Sequence, residues 1–403
     1  MKLLGLPSLI LVLVIGISAC SSSRESISST PGSIGSSTPR SASPSYKTSQ
    51  WSLCSAGTSV SDPTGPHGLF ASNVNVMQPS VIAAETQYLM SGYTICGANI
   101  VVPWSSVDQG PGASPRYNWN YVDQLAAPWE AAGKIVNLIV WGVNESISQD
   151  VGGQLATPSY VLSSTQTVSC GGKDPTTPVY WDSGYLNPYR AFEAALVSHF
   201  ASDPHIGYIR FGLGAGAEDY PADSWYSPIC KSKWIAAGLT PSKWLSYSVS
   251  QIDYEAGLNS TKPLFVGINA FPNAPTLADQ VANEAVIHHI GFGMQGLTDS
   301  QVTSYQQGKL CFADWCNLFL KYAGTVPLEL QTFSASNPLG AGKTGALPQQ
   351  LSFGITTTHA QVWELYPQEW LVADDPSWPG YSQFHQAYSQ ALASAATEVG
   401  GQK

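Results

Sequence analysis

The stretch Tyr208-Ile-Arg-Phe-Gly-Leu-Gly-Ala-Gly-Ala-Glu218 runs from an apolar, strand-like segment through a glycine-rich loop to a glutamate. A second stretch, Thr325-Val-Pro-Leu-Glu329-Leu-Gln331, carries a glutamate within an apolar run. In a β/α barrel the strands fix the backbone, and residues at their carboxyl ends reach the open mouth. The two stretches therefore predict a pair of carboxylates at one mouth, if they are the fourth and seventh strands of a barrel.

The rest of the chain supplies the other strands. From His67 onward, short apolar runs alternate with helix-like stretches. Such alternation indicates a parallel sheet, and eight units close it into a barrel. We therefore predict an α/β fold, a single (β/α)8 TIM barrel, with a doubly wound open sheet as the main alternative. The eight predicted runs are 68–71, 99–104, 134–141, 206–212, 263–269, 290–294, 326–329 and 360–364.

Composition narrows the function classes. Only 11% of the 403 residues are charged, against about 25% in an ordinary soluble domain. The net charge of −10, with 17 Lys plus Arg, leaves no basic surface to neutralise phosphates, so nucleic acid is not an expected partner. The 13 Trp and 19 Tyr suit uncharged ligands such as sugars.

The amino-terminal segment has the pattern of an export signal. Lys2 precedes an apolar stretch too short for a membrane span, and small residues lead up to Cys20. The four residues ending at Cys20 resemble a bacterial lipobox, which implies lipidation of that cysteine. The alternative is an ordinary secretory signal that happens to contain a cysteine.

These features divide the chain into three parts. We predict a lipoprotein signal peptide over 1–19, a flexible Ser/Thr/Pro-rich tether over 20–50, and the barrel over 51–403. The expected location is the outer face of a bacterial cell membrane, reached through the lipid anchor only.

Six cysteines follow Cys20, and an even number in an exported chain suggests disulfides. Six cysteines allow 15 pairings. Preferring order along the chain, we predict Cys54–Cys96, Cys170–Cys230 and Cys311–Cys316. The sequence contains no zinc-binding Cys/His pattern, so no metal is expected.

Four glutamates lie at or just past predicted strand ends: Glu145, Glu218, Glu329 and Glu364. Cleavage of an acetal needs one protonated carboxyl group to assist the leaving oxygen and one ionised carboxylate to attack or to activate water. Glu329 lies between Leu328 and Leu330, where an idle charge is costly. Two strand-end glutamates therefore predict glycoside hydrolysis, which requires no cofactor.

The layout resembles that of clan A glycoside hydrolases over residues 66 to 395. Trp104 with Asp108-Gln-Gly-Pro, and then Tyr117-Asn-Trp-Asn-Tyr-Val-Asp123, is similar to the second βα unit of family 42 β-galactosidases and their relatives. The run from Pro178 to the Glu218 strand is similar to their fourth unit. The resemblance implies that Glu218 is the acid/base, that Glu329 is the nucleophile and that configuration is retained. Many clan members carry Asn before the acid/base, where this chain has Ala217.

Further residues at strand ends are candidates for substrate binding. Trp104, Trp141 and Trp363 could stack on sugar rings or fill the barrel rim. For Trp363, the resemblance implies the place of a sugar-platform tryptophan. Glu364 could bind a substrate hydroxyl or pair with Arg210. The remaining candidates are Asn144, Asn269 and Gln331, of which the two asparagines could instead cap turns.

The leading hypothesis is therefore a surface-tethered, monomeric, retaining glycosidase. One alternative is a non-catalytic sugar-binding lipoprotein, either a decayed barrel or the solute receptor of a transporter. A receptor should show two hinged lobes, whereas the enzyme should show one closed barrel. A lipid-anchored structural protein without a ligand is a third alternative, which the strand-end carboxylates disfavour.

Overall fold

A computed structural model describes residues 54, 66–72, 94–144, 155–172, 174–269, 275–307, 315–332 and 347–401. All of them belong to the unit Tyr46–Lys403. Eight parallel strands form a closed barrel in the order β1-β10-β9-β8-β7-β6-β3-β2, and β4 and β5 form a separate two-stranded antiparallel sheet. The strands are β1 Gly68–Ser72, β2 Ile95–Pro103, β3 Ile135–Trp141, β4 Thr167–Ser169, β5 Thr176–Pro178, β6 Ile206–Phe211, β7 Leu264–Gly267, β8 Gly291–Leu297, β9 Leu328–Thr332 and β10 Val362–Leu365.

This barrel confirms the predicted (β/α)8 fold and excludes the open sheet. Each of the eight predicted runs overlaps one barrel strand, and β6 and β9 are the fourth and seventh in order. The runs were recognisable because parallel strands are buried on both faces and so read as continuous apolar segments.

Helices surround the barrel, and local sequence signals explain several of their ends. Asp182 caps the helix Ser183–Phe200 by accepting from Gly184 N, and Thr240 caps Pro241–Gly257 by accepting from Lys243 N. Thr298 and Gln301 form a reciprocal capping box. The α-helices are Trp104–Val107, Asn120–Ala131, Ser159–Leu162, Ser183–Phe200, Pro228–Ala236, Pro241–Gly257, Pro275–Ile287, Asp299–Gln306, Trp315–Tyr322, Leu347–Thr356, Pro367–Asp374 and Tyr381–Gly401.

Two of the predicted disulfides are present. Cys54 is bonded to Cys96 in β2, and Cys170 is bonded to Cys230. Cys316 is also disulfide-bonded, and its predicted partner Cys311 lies outside the described residues, as does Cys20. Within the described part of the chain, no helix is both long and apolar enough to cross a membrane.

Candidate active site

Glu218 follows β6 on a sharply turned loop. Residues Ala215–Ala217 form a 3-10 turn, and Gly216 N donates to Val143 O on the neighbouring unit. Ala217 has φ of 62°, a left-handed conformation that non-glycine residues adopt at an energetic cost. Glu218 itself is 9% exposed. The turn therefore holds the carboxyl group at the mouth of the barrel.

Glu329 and Glu364 share one cation inside the mouth. Arg210 Nη1 in β6 lies 2.8 Å from Glu329 Oε2 and 3.1 Å from Glu364 Oε2. Ser72 Oγ donates to Glu364 Oε1 at 3.0 Å. Val362 pairs with Glu329 and Glu364 pairs with Gln331, so Glu364 lies two residues nearer the mouth than Glu329. Of the two predicted roles of Glu364, the structure shows the pairing with Arg210.

Hydrogen-bonded polar side chains from three other barrel strands lead to Glu329. Tyr208 Oη donates to Glu329 Oε1 at 2.6 Å, and Asn99 Nδ2 donates to the tyrosine oxygen at 3.0 Å. Asn137 Nδ2 in turn donates to Asn99 Oδ1 at 2.8 Å. Burial raises the pKa of Glu329, whereas Arg210 and Tyr208 act in the opposite direction and Glu364 adds to the rise. Whether Glu329 is ionised therefore depends on Arg210, Tyr208 and Glu364.

Two glycines leave room for the glutamates. A Cβ on Gly293 in β8 would lie 2.8 Å from Glu329 Oε2. A Cβ on Gly267 in β7 would lie 2.5 Å from Ala217 O and 3.1 Å from Glu218 Cα. These distances are tighter than normal contact, so the Glu329 carboxylate and the backbone of Ala217 and Glu218 occupy space that a side chain at Gly293 or Gly267 would fill.

Glu218 is held between two neutral amides. Asn269, just past β7, donates from Nδ2 to Glu218 Oε2. The orientation of the Gln295 amide that satisfies both of its neighbours donates to Glu218 Oε1 at 2.6 Å and accepts from Arg210 Nη2 at 2.5 Å. Gln295 thereby links Glu218 to Arg210. Of the two asparagines proposed for the site, Asn269 is part of it.

Three other predicted residues have different surroundings. Gln331 is 4% exposed, and its Nε2 has no hydrogen-bond partner among the described residues. Asn144 Oδ1 accepts from Ala156 N, 12 residues further along the chain. Trp141 is buried within the barrel, in the cluster that includes Ala217 and Tyr208. Glu145 lies outside the described residues.

Two tryptophans predicted to reach the mouth do not do so. Trp104 is fully buried outside the barrel, where its ring contacts Tyr185 and Phe192 of the helix Ser183–Phe200. Trp363 is also fully buried, against Gly354 of the helix Leu347–Thr356. Because Glu364 faces the interior, its neighbour Trp363 must face outward. The platform role implied for Trp363 is therefore wrong, and neither ring offers a face to a sugar.

A separate cavity of about 520 Å³ opens near Trp104, whose ring contacts the lining residue Tyr160. It is lined by residues that come after β2 and after β3 in the chain, among them Ser105, Asp108, Thr157 and Tyr160. Asp108 accepts hydrogen bonds from Trp104, Arg116 and Tyr160, so the segment used for the family resemblance has a structural role here. The three mouth glutamates do not line this cavity.

Sequence reasoning missed several site residues: Ser72, Asn99, Tyr208 and Gln295, and it named Arg210 only as a partner for Glu364. The sequence does contain a signal for two of the missed residues and for Arg210. Asn99, Tyr208 and Arg210 are polar groups within strands otherwise buried on both faces, and such groups need partners. Gln295 had no comparable signal.

No family model and no curated protein sequence matches the chain. Among solved structures, the catalytic domain of a β-amylase from Paenibacillus polymyxa has a TM-score of 0.53, with 14% identity over 81% of this chain and 99% of that one. A β-galactosidase from the psychrophilic Marinomonas ef1 gives 0.46, at 11% identity over 83% and 61% of the two chains. A GH5_18 structure from Streptomyces cattleya, in complex with GlcNAc, gives 0.49, at 12% over 84% and 81%. The first likeness shows the barrel fold, and the other two carry no further argument.

Proposed function

We propose that the protein is a retaining glycoside hydrolase acting on extracellular oligo- or polysaccharide. The observation that carries the proposal is the mouth itself, where Glu218 follows the fourth barrel strand and Glu329 lies in the seventh. The two carboxyl groups have unlike surroundings, since amides hold Glu218 and Arg210 holds Glu329. Unlike surroundings let two carboxyl groups take opposite protonation states.

In the proposed reaction, Glu218 gives its proton to the glycosidic oxygen while Glu329 attacks the anomeric carbon. The bond to the leaving group breaks, and a glycosyl ester of Glu329 forms. Glu218 then takes a proton from water as that water attacks the same carbon and releases Glu329. The ester form of Glu329 carries no charge, and Glu364 then remains as the counter-ion of Arg210. In this proposal Gln331, whose Nε2 has no partner among the described residues, binds a sugar hydroxyl.

The test is a screen of aryl glycosides with the wild type and with Glu218→Gln, Glu329→Gln and Glu364→Gln. We expect Glu329→Gln to abolish turnover, and NMR of the wild-type product to show retained configuration at the anomeric carbon. Glu329→Gly with added azide should regain turnover through a glycosyl azide. Activity surviving in Glu329→Gln but lost in Glu364→Gln would move the nucleophile to Glu364, and an inverted product would overturn the retaining mechanism.

A non-catalytic carbohydrate-binding protein is the second candidate. Glu329 and Glu364 are both fully withdrawn from solvent, and Ala217 stands where many clan A enzymes carry Asn. The closed barrel argues against the two hinged lobes of a transporter receptor, which leaves a decayed barrel. Oligosaccharide binding by the wild type, without hydrolysis of any aryl glycoside or polysaccharide, would support this candidate.

We also propose that the protein works outside the cell on a lipid anchor at Cys20. The amino-terminal sequence supports this, and the two disulfides suit an oxidising compartment. Fatty-acid labelling of the full chain in a bacterial host should mark the wild type and fail to mark Cys20→Ser. Equal labelling of both proteins would contradict the proposal.

A further inference from the structure

Gln295 lies at an irregular point in β8. Met294 pairs with Leu330 of β9, but the next pair is Leu297 with Thr332. Three steps along β8 therefore match two along β9, which is the geometry of a β-bulge. Gly296, inside the bulge, has φ of 83°, a conformation that favours glycine. Bulges next to active sites re-aim side chains, and here the side chain at the bulge is the Gln295 amide.

The contacts of Gln295 fix which way its amide faces. Its oxygen accepts from Arg210 Nη2, and its nitrogen donates to Glu218 Oε1. A reversed amide would place its NH2 group against the guanidinium, and two donors cannot bond each other. Arg210 has little freedom to move away, because it is 1% exposed and paired with Glu329 and Glu364. The arginine therefore sets the orientation of the amide.

A fixed donor at Oε1 has a consequence for the proton on Glu218. An oxygen that accepts from Gln295 cannot also point its own proton at that nitrogen, and a carbonyl oxygen accepts better than a hydroxyl oxygen, so this donor favours a protonated Glu218 with its hydrogen on Oε2. Asn269 faces Oε2 and is half-buried. Among the described residues no cation holds this amide as Arg210 holds that of Gln295, so it can turn to present oxygen instead of nitrogen.

We propose that Gln295 is a positioning residue that transmits the orientation set by Arg210 to Glu218 and keeps the transferable proton on Oε2. The inference rests on the proposed function, which gives Glu218 its acid/base role. Gln295 neither titrates nor touches the reacting bond in this scheme. It determines which oxygen of Glu218 delivers the proton.

The experiment follows the Glu218 carboxyl carbon by NMR in the full chain labelled with 13C-glutamate, with Glu218→Gln identifying the signal. Gln295→Met keeps the volume of the side chain and removes the donor, so the pH midpoint of the signal should rise by about 0.5–1 pH unit. Gln295→Glu keeps an acceptor for Arg210 but faces Glu218 with a second carboxylate, so its midpoint should rise further. Gln280→Met, on an exposed glutamine of the helix Pro275–Ile287, is the matched control and should not change the midpoint.

A merely structural role predicts a different result, with lower thermal stability and an unchanged midpoint. Wild-type midpoints in both Gln295 variants would therefore overturn the proposal. The titration needs no substrate, so it gives a result even if no glycoside is hydrolysed. Where hydrolysis is found, the basic limb of the kcat/KM profile, which reports the protonated acid Glu218, should move in Gln295→Met in the same direction as the NMR midpoint, and the two failures remain distinguishable.

Discussion

Arg210 Nη1 lies 2.8 Å from Glu329 Oε2, and both side chains are only 1% exposed. An ion pair so withdrawn from water brings little net stability, but removal of one partner leaves an uncompensated charge. This asymmetry governs how the barrel should respond to substitution. Substitutions in the candidate site should therefore also change the stability of the fold.

Replacement of Arg210 by Met should therefore be severe. Glu329 and Glu364 would lose their common cation, and we expect the free energy of unfolding to fall by about 3–5 kcal/mol in urea denaturation. Lys321→Met is the control, because Lys321 pairs with Asp279 at 2.7 Å but the two side chains are 50% and 48% exposed. That variant should lose about 1 kcal/mol or less. Equal losses in the two variants would contradict this account.

The hydroxyl group of Tyr208 should affect turnover more than stability. Tyr208→Phe removes the 2.6 Å hydrogen bond to Glu329 Oε1 and leaves the ring in place. If Glu329 is the nucleophile, kcat for an aryl glycoside should fall by about 10- to 100-fold with little change in KM. Tyr180→Phe, in which the lost bond joins a backbone carbonyl, is the control and should retain activity. A similar loss of kcat in both variants would exclude a specific effect on Glu329.

Stability should decrease as the pH rises, because of buried carboxyl groups away from the mouth. Burial raises the pKa of Glu193 to about 8, and a hydrogen bond from Gln251 opposes the rise. The folded state therefore keeps this proton up to about pH 8, whereas the unfolded chain releases it near the ordinary value of 4.5. Glu193 makes its full contribution to stability below pH 4.5, and this contribution is lost as the pH rises to about 8.

Glu193→Gln should flatten that slope. The comparison is the urea unfolding free energy of the variant and the wild type between roughly pH 4 and pH 9, where the variant should gain stability at the alkaline end. Glu398→Gln, at an exposed position, serves as the control and should leave the slope unchanged. Wild-type slope in Glu193→Gln would show that the buried carboxyl group does not cause the pH dependence.

Gly293 should not tolerate a methyl group. Gly293→Ala would place Cβ 2.8 Å from Glu329 Oε2, and the forced displacement should destabilise the protein by about 1–3 kcal/mol. Gly257→Ala, at the end of the helix Pro241–Gly257, meets nothing within 4 Å and should be neutral or slightly stabilising. Thermal unfolding of the two variants provides the comparison, and a neutral Gly293→Ala would mean that Glu329 can move aside freely.

The strand count could be read from the sequence because it depends on local pattern, whereas the two disulfides agree with a pairing chosen by order along the chain, since they join residues 42 and 60 positions apart. Which side of the barrel wall a strand-end residue points to could not be predicted from its approximate position. A shift of one residue along a strand moves the side chain to the opposite face. Trp363 and Glu364 are adjacent, so both could not reach the mouth. Alternation alone could have excluded the tryptophan once the glutamate was assigned to the interior.

Contacts across the barrel were beyond the sequence for a different reason. The meeting of Tyr208 and Arg210 with Glu329 depends on strand tilt and stagger, which close the barrel but leave no local signal. Gln295 depends on a bulge, for which Gly296 is only a weak indication. The glutamates themselves were predictable, because a carboxylate in an apolar run requires an explanation.

The bond between Cys54 and Cys96 closes a loop that contains the whole of β1. A pulling force applied to the chain ahead of Cys54 passes through sulfur directly into β2 and bypasses β1. The first strand of a barrel is otherwise the element that such a force would peel away. A protein held by its amino-terminal end against flow or a heavy substrate would thus carry load at β2, a nine-residue strand that pairs with β1 on one side and with β3 on the other, and its barrel would stay closed.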